Sequence, residues 1–407
     1  MAQKLRALVL YSSRRPESAL KVQTIKSVDT KMRKVTSSMI LMLLMLCMLT
    51  FTLDIRTAKA SGTIYIRQDG TVDGTDKIQH VGTVYTFTGN ISDTIVVEKS
   101  GIVIDGAGYT LRAGTTERGI DLTGRCTVTI RNVRITQCLD AVRLSGSTRS
   151  NITSNILIDN SDDGIDIRDS SDYNSIVNNT IVGNHDDGIE LWESAYNDIA
   201  KNNISQNALH GIWIYDNSNH NDITENLIIE NHYDGIDLLS SSNYNTIRNN
   251  TIEKNHDQGI AAISSHDNSI YYNNFLNNTY QAYAVNSVNT WDNGYPSGGN
   301  YWSDYNSTDL YSGFYQNVTG SDGIGDTPYT INANNQDRFP QFRVSAGGGF
   351  DLTLLAIVIV VAAVCVTAAV ALILRKRKPQ VPSAPPPPPP PPSQTAPADS
   401  AARAYLA

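Results

Sequence analysis

Carboxylates recur beside glycine through the middle of this chain, at spacings that suit acid–base or ion-binding chemistry. Asp163 and Asp166 flank Gly164, and Asp187 and Glu190 flank Gly188 in the same way. A pair of carboxyl groups is the minimum equipment for glycosidic cleavage, one as acid and one as base or nucleophile. These four are the candidate catalytic residues. The same two positions carry His210 and Trp213 around Gly211, then Asp234 and Asp237 around Gly235. Trp192 and Tyr215 stand four residues after Gly188 and Gly211. Aromatic faces beside acids hold sugar rings: the ring face stacks while carboxylates accept hydroxyl hydrogen bonds. Trp192, Trp213, Tyr215, His210, Asp234 and Asp237 therefore form the candidate ligand-binding set. The competing reading is that Asp-Gly-Ile-Asp is only a repeat consensus and the acids a solvated face.

Metal chemistry has two candidate sites. His232 and His256 occupy equivalent positions of successive repeats, with Asp234 and Asp257 close by in sequence. Two imidazoles one layer apart suit copper or zinc; the alternative is corner histidines bonded to backbone. Asp322-Gly323-Ile324-Gly325-Asp326 resembles a short calcium loop, although the downstream bidentate Glu of an EF-hand is missing.

The elements that position these residues follow from the repeat. Gly164, Gly188, Gly211, Gly235 and Gly259 each open an apolar alternating segment, and Gly119, Ala141 and Ala282 extend the series. From Gly119 the steps are 22, 23, 24, 23, 24, 24 and 23 residues. Such a period marks a stacked array whose units cannot bury an apolar face alone. Nine residues before each glycine stands Asn132, Asn155, Asn179, Asn202, Asn226, Asn250 or Asn273; four before it runs Asn160, Asn184, Asn207, Asn231, Asn255 and Asn278. Asparagine tolerates left-handed corners, and its amide can bond to the turns on either side. Ile152, Ile176, Ile199, Ile223, Ile247 and Ile270 form an apolar column. Each repeat reads as strand, corner, strand, corner. Parallel strands with short crossovers favour the right-handed sense, so the expected fold is an all-β, right-handed parallel β-helix. It is expected over 61–285, with a C-terminal cap at 286–345 that takes in most of the aromatic segment Tyr271 to Tyr329, which holds ten of the twenty tyrosines.

Two further segments carry membrane signals. Residues 1–60 read as a signal peptide with a long basic n-region, an apolar stretch from Met39 to Leu53 and a small-x-small site at Ala58-Lys59-Ala60. After a linker at 346–351, residues 352–374 are apolar and uncharged, long enough to span a bilayer. Arg375-Lys376-Arg377-Lys378 then opens a proline-rich tail at 375–407, placing that end in the cytoplasm and the repeats outside. The expected localisation is the cell surface, as a single-pass membrane protein. Residues 61–350 hold 16 Lys+Arg against 35 Asp+Glu, a net charge of −19. Nucleic acid attracts basic surfaces, so it is excluded as a partner. Cys126 and Cys138 are compatible with either a disulfide or two thiols. Eight Asn-x-Ser/Thr sequons, Asn90 and Asn317 the outermost, make the ectodomain a candidate glycoprotein.

Gly299-Asn300-Tyr301-Trp302-Ser303-Asp304-Tyr305, then Asp322 to Tyr329, then Asp337-Arg338-Phe339-Pro340 are similar to the cap of the copper-binding periplasmic (NosD-like) β-helix proteins, in particular of their archaeal surface members with carbohydrate-binding and sugar-hydrolase repeats. The resemblance spans about residues 63 to 345. It implies a secreted solenoid and, in the founding members, copper delivery to nitrous oxide reductase. The chain departs from that role: all six methionines precede residue 49, and it carries the expected anchor. Asn160-Ser161-Asp162-Asp163-Gly164 resembles the Asn-Thr-Asp element of polygalacturonases. The accompanying Gly-His-Gly and Arg-Ile-Lys elements are missing, Leu209-His210-Gly211 being the nearest approach. The expected function is therefore a membrane-anchored extracellular β-helix that binds polysaccharide or a surface protein through an acidic–aromatic face. The alternatives are a glycan hydrolase or lyase using paired carboxylates, and a copper-binding accessory protein.

Overall fold

The computed structural model describes residues 62–343. The expected signal peptide, linker, membrane span and tail lie outside the described residues. Among the described residues no helix is long and apolar enough to cross a membrane.

The chain coils as a right-handed parallel β-helix whose strands stack into three sheets of 11, 10 and 9 strands. The Gly-Ile segments build the first sheet: Ile165–Arg168, Ile189–Trp192, Ile212–Tyr215 and Ile236–Leu239 are successive rungs. The Ile176 column lies in the second, in strands such as Ser175–Val177. A third, between the two asparagine columns, contains Thr180–Val182, Asn203–Ser205 and Leu227–Ile229. Each turn therefore has three strands where the repeat predicted two. The third strand is three residues long with one inward side chain, such as Ile181 or Ile204, so alternation alone leaves little trace of it. Inward positions of all three sheets fill one continuous core of isoleucine, leucine and valine.

The corners are held by asparagine, differently from the expectation. The left-handed residues are those just before the ladder asparagines, such as Asn178, Lys201 and Glu225 with φ of 58°, 57° and 55°. The asparagines themselves turn inward. Asn179 donates its backbone N–H to Asn202 Oδ1 at 2.9 Å and its Nδ2 to the same oxygen at 3.1 Å. Nδ2 also donates to Ile152 O at 2.7 Å. The backbone N–H and the amide of the ladder asparagine are thus paired with the adjoining turns, as buried polar groups require. Asn132 falls outside the ladder: it is exposed with φ 53°, and Val133 N donates to Asn155 in its place.

The stack continues past residue 285, because Tyr301–Trp302 pairs with Asn274–Leu276 as the last strand of the third sheet. Trp302 then stacks between Phe275 (4.5 Å) and Tyr329 (4.2 Å) and covers the open core. One asparagine ladder ends where Asp337 Oδ2 accepts the N–H of Asn300 at 2.7 Å and the indole N–H of Trp302 at 2.9 Å. Cys126 and Cys138 are both free, the first exposed and the second buried.

Candidate functional site

The outer face of the first sheet gathers most of the candidate residues. In each four-residue rung the first and third side chains, such as Ile165 and Ile167, are fully buried in the core. The second and fourth face outward. Parallel register then stacks Arg143, Asp166, Glu190, Trp213 and Asp237 in one column, and Arg168, Trp192 and Tyr215 in the next. The residues before Ala141 and each following glycine, Asp140, Asp163, Asp187, His210 and Asp234, line the edge of the same face.

These acids do not form an open ribbon. Asp166 is 0% exposed, Asp163 4% and Glu190 7%. Long neighbours cover and neutralise Asp166 and Glu190: Arg143 pairs with Asp166, Arg168 Nε reaches Asp166 Oδ1 at 2.6 Å, and Arg168 Nη2 reaches Glu190 Oε2 at 2.7 Å. Asp140, Asp163 and Asp166 place oxygens within 4.8 Å of one another. Burial, with Glu190 and Asp187 close, holds the Asp163 carboxyl well above its ordinary range. Burial also pushes Asp166 up to about 6 against the opposing pull of Arg168 and Arg143. Asp140 rises to about 6 through burial and the Asp166 charge, and Asp186 to about 7 through burial and Asp187.

Two turns further along, the arginines give way to aromatics and an imidazole. Trp213 and Tyr215 stack at 4.9 Å, and Trp192 meets Tyr215 edge-on at 6.0 Å. Arg168 lies over the Trp192 ring at 5.3 Å. The three rings make one ledge, with Trp192 37% exposed. Beside it, His210 Nδ1 bonds Asp187 Oδ1 at 3.0 Å, while Nε2 faces Asp234 Oδ2 at 3.7 Å and Asp237 Oδ2 at 3.9 Å. Burial opposes charge on His210, but the Asp187 bond and the carboxylates around it raise its pKa. Asp234 is pushed up to about 7 by burial and by Asp237; Asp237 reaches about 6 through burial, against the pull of His210.

The residues expected for copper fall in two places, and those expected for calcium are engaged in loop hydrogen bonds. His232 and His256 stack at 5.1 Å at another corner, in a groove of about 690 Å³ lined also by Glu230 and Lys254. Asp234 belongs with His210 instead, and Asp257 accepts from Gln258 Nε2 at 2.7 Å. Asp234 is the residue before its glycine and so lies on the first-sheet face, whereas His232, two residues earlier, is still in the corner. In the cap, the Asp326 carboxylate accepts the N–H groups of Leu310 and Tyr311, each at 2.9 Å, and Asp322 Oδ1 accepts from Ile324 N at 3.1 Å. These carboxylates tie loops together. Among the described residues, neither they nor His232, His256 and Asp257 fall in any group of three candidate ligands within 4.8 Å.

The sequence places Arg143 and Arg168 in the outward columns but gives them no role, which becomes visible only when charge is balanced rung by rung. Sequence reasoning missed the ladder Tyr173, Tyr196, His220 and Tyr244, whose rings stack at 5.0, 4.9 and 5.2 Å along the corner after the first sheet.

No curated protein sequence matches the chain. Among solved structures, the chain is similar to the periplasmic alginate epimerase AlgG at 17% identity, covering 55% of this chain and 72% of that one, with a TM-score of 0.43. An alginate lyase from Paenibacillus sp. str. FPU-7 shares 16% identity over 54% of this chain and 93% of its own, with a TM-score of 0.34. A pectate lyase shares 16% over 71% and 80%, with a TM-score of 0.38. The family model described as "Right handed beta helix region" matches residues 118–276 and 220–296, the stretch that carries the acidic–aromatic face, and over it the chain is a right-handed parallel β-helix.

Proposed function

We propose that the first-sheet face binds polysaccharide, in a protein displayed outside the cell and tethered through residues 352–374. The observation that carries this reading is the ledge of Trp192, Tyr215 and Trp213 beside the Arg168–Glu190–Asp166 network. A sugar ring laid on the ledge meets an apolar surface and, next to it, charged hydrogen-bonding groups. The net charge of −19 on residues 61–350 repels polyanions, so the chain chemistry that fits is a neutral, hydroxyl-rich polysaccharide.

Binding fits this geometry better than hydrolysis. Glycosidase carboxyl pairs stand roughly 5–9.5 Å apart so that the scissile bond fits between them. Asp163 and Asp166 are 4% and 0% exposed, Asp166 beneath two guanidinium groups, so burial closes the space between them to a scissile bond. Asp187 spends one oxygen on both the backbone N–H and ring of His210, at 2.7 and 3.0 Å.

The test is retention of the full chain on an array of neutral and acidic polysaccharides, with product analysis of the eluate. Trp192→Ala and Trp213→Ala should each weaken retention about fivefold or more, the equivalent of ~1 kcal/mol of stacking. Unchanged retention in both variants removes the ledge from the interaction. Released oligosaccharides would transfer the reading to a hydrolase or lyase.

A further inference from the structure

We propose that His210, Asp234 and Asp237 form a three-ligand divalent-cation site of the zinc type, with Asp187 as the positioning partner of the histidine. The inference does not depend on the glycan reading.

Distances make the first argument. His210 Nε2 lies 3.7 Å from Asp234 Oδ2 and 3.9 Å from Asp237 Oδ2. Both are too long for hydrogen bonds, which end near ~3.2 Å. Bonds of about 2.0–2.2 Å from one tetrahedral ion to nitrogen and oxygen would hold such atoms roughly 3.4 Å apart. A few tenths of an ångström therefore separate the observed arrangement from one that shares an ion.

The second argument is an unpaired atom. Asp237 is 6% exposed; its Oδ2 faces His210 and, among the described residues, its Oδ1 has no partner in hydrogen-bond geometry and the Trp213 side chain is the one donor acting on this carboxylate. Asp234 differs: its Oδ1 accepts the N–H of Gln258 at 2.8 Å, which fixes the carboxylate and leaves Oδ2 turned to His210. Buried carboxylates are ordinarily paired or bound to a metal.

Charge supplies the third. On neighbouring rungs Asp140, Asp166 and Glu190 are answered by Arg118, Arg143 and Arg168, although Asp163 is not. Among the described residues, Asp187, Asp234 and Asp237 pair with no Lys or Arg; their one ionic partner is His210. With the imidazole neutral, as a metal ligand must be, the three carboxylates carry −3, and a divalent ion offsets two of those charges.

The orientation of the histidine agrees. Asp187 Oδ1 accepts the His210 N–H at 2.7 Å and contacts Nδ1 at 3.0 Å. A carboxylate on one ring nitrogen fixes the tautomer and presents the other nitrogen's lone pair to a metal. The mixed nitrogen and oxygen set suits zinc; calcium takes six to eight oxygens, more than these residues supply.

The experiment is a titration of the full-length protein, stripped with EDTA, with zinc chloride by calorimetry, and with calcium and magnesium in parallel. One zinc per chain is expected. His210→Ala should abolish uptake and the near-isosteric Asp237→Asn should weaken it at least tenfold. Asp187→Asn should weaken it about 10–100-fold, as removal of an outer partner does. A double variant His232→Ala/His256→Ala should bind as the wild type does. Cobalt(II) loading reads the site without any substitution, since a tetrahedral site absorbs strongly in the visible and the hydrated ion only weakly. The proposal is overturned by absent zinc uptake, by uptake that survives His210→Ala or disappears with the His232/His256 pair, by unaltered affinity in Asp237→Asn, by preference for calcium, or by a cobalt spectrum of the hydrated ion alone.

Discussion

At the scale of single residues, the asparagine ladders bear the largest burden. Asn202 Oδ1 receives both the backbone N–H and the amide of Asn179, and its Nδ2 donates to Ile176 O at 2.8 Å and to Asn226 Oδ1 at 3.0 Å. In Asn202→Ala the Asn179 N–H, the Asn179 amide and the Ile176 carbonyl lose these partners in a site closed to water. A buried polar group left unpaired costs about 1–3 kcal/mol, so the variant should lose roughly 3 kcal/mol or more. Urea denaturation of wild type and variant measures this directly. A loss below ~1 kcal/mol would mean that the ladder bonds are replaceable.

At the scale of the strand and its corner, the glycine column works by closeness rather than by unusual torsion. None of Gly164, Gly188, Gly211, Gly235 and Gly259 has positive φ. A Cβ on Gly188 would instead stand 2.5 Å from Gly211 O and 2.5 Å from Ile204 Cγ2, so the turns could not keep their spacing. Gly188→Ala should therefore destabilise by about 1–3 kcal/mol or more through overpacking, and thermal unfolding should show it as a lower midpoint. Gly146→Ala is a different case, strained by its φ of +59° and with no neighbour nearer than 3.7 Å. These columns were legible in the sequence because a close approach admits one residue type at every turn. A third asparagine ladder, Asn174, Asn197, Asn221, Asn245 and Asn268, was not, because it follows the glycines by ten, nine, ten, ten and nine residues. The one-residue variation is absorbed in the corner between the first and second sheets and blurs the column. The site was half legible for a related reason. Its acids repeat and stand out, whereas Arg143 and Arg168 each occur once in a column, and the ion-like grouping of His210 with Asp234 depends on which way a corner turns its side chains.

At the scale of the whole molecule, the buried acids predict a protein more stable in mild acid than at alkaline pH. Asp140 and Asp166 are raised to about 6, Asp337 to about 7 and Asp163 well above its ordinary value, burial being the leading cause in each. For an acid whose folded pKa exceeds its unfolded value, the stabilising contribution is complete below ~4 and is lost as pH rises through the folded value. Asp105 and Asp292 work the other way: burial opposes them, but hydrogen bonds from Ala107 to one and from Arg338 to the other keep them low, and their contribution disappears only below ~4. The melting temperature, measured in EDTA, should therefore rise as pH is lowered from 8 to about 5, and fall again below about 3. The upper limb is the informative one, because the net charge of −19 on residues 61–350 also relaxes there through general repulsion. Asp163→Asn separates the two causes. It removes one buried charge from a dense cluster while changing the total by a single unit, so a local origin predicts a much flatter slope between pH 5 and 8 and a general one predicts almost no change. A wild-type melting temperature higher at pH 8 than at pH 5 would show that these carboxyls are ionised and satisfied where the fold buries them.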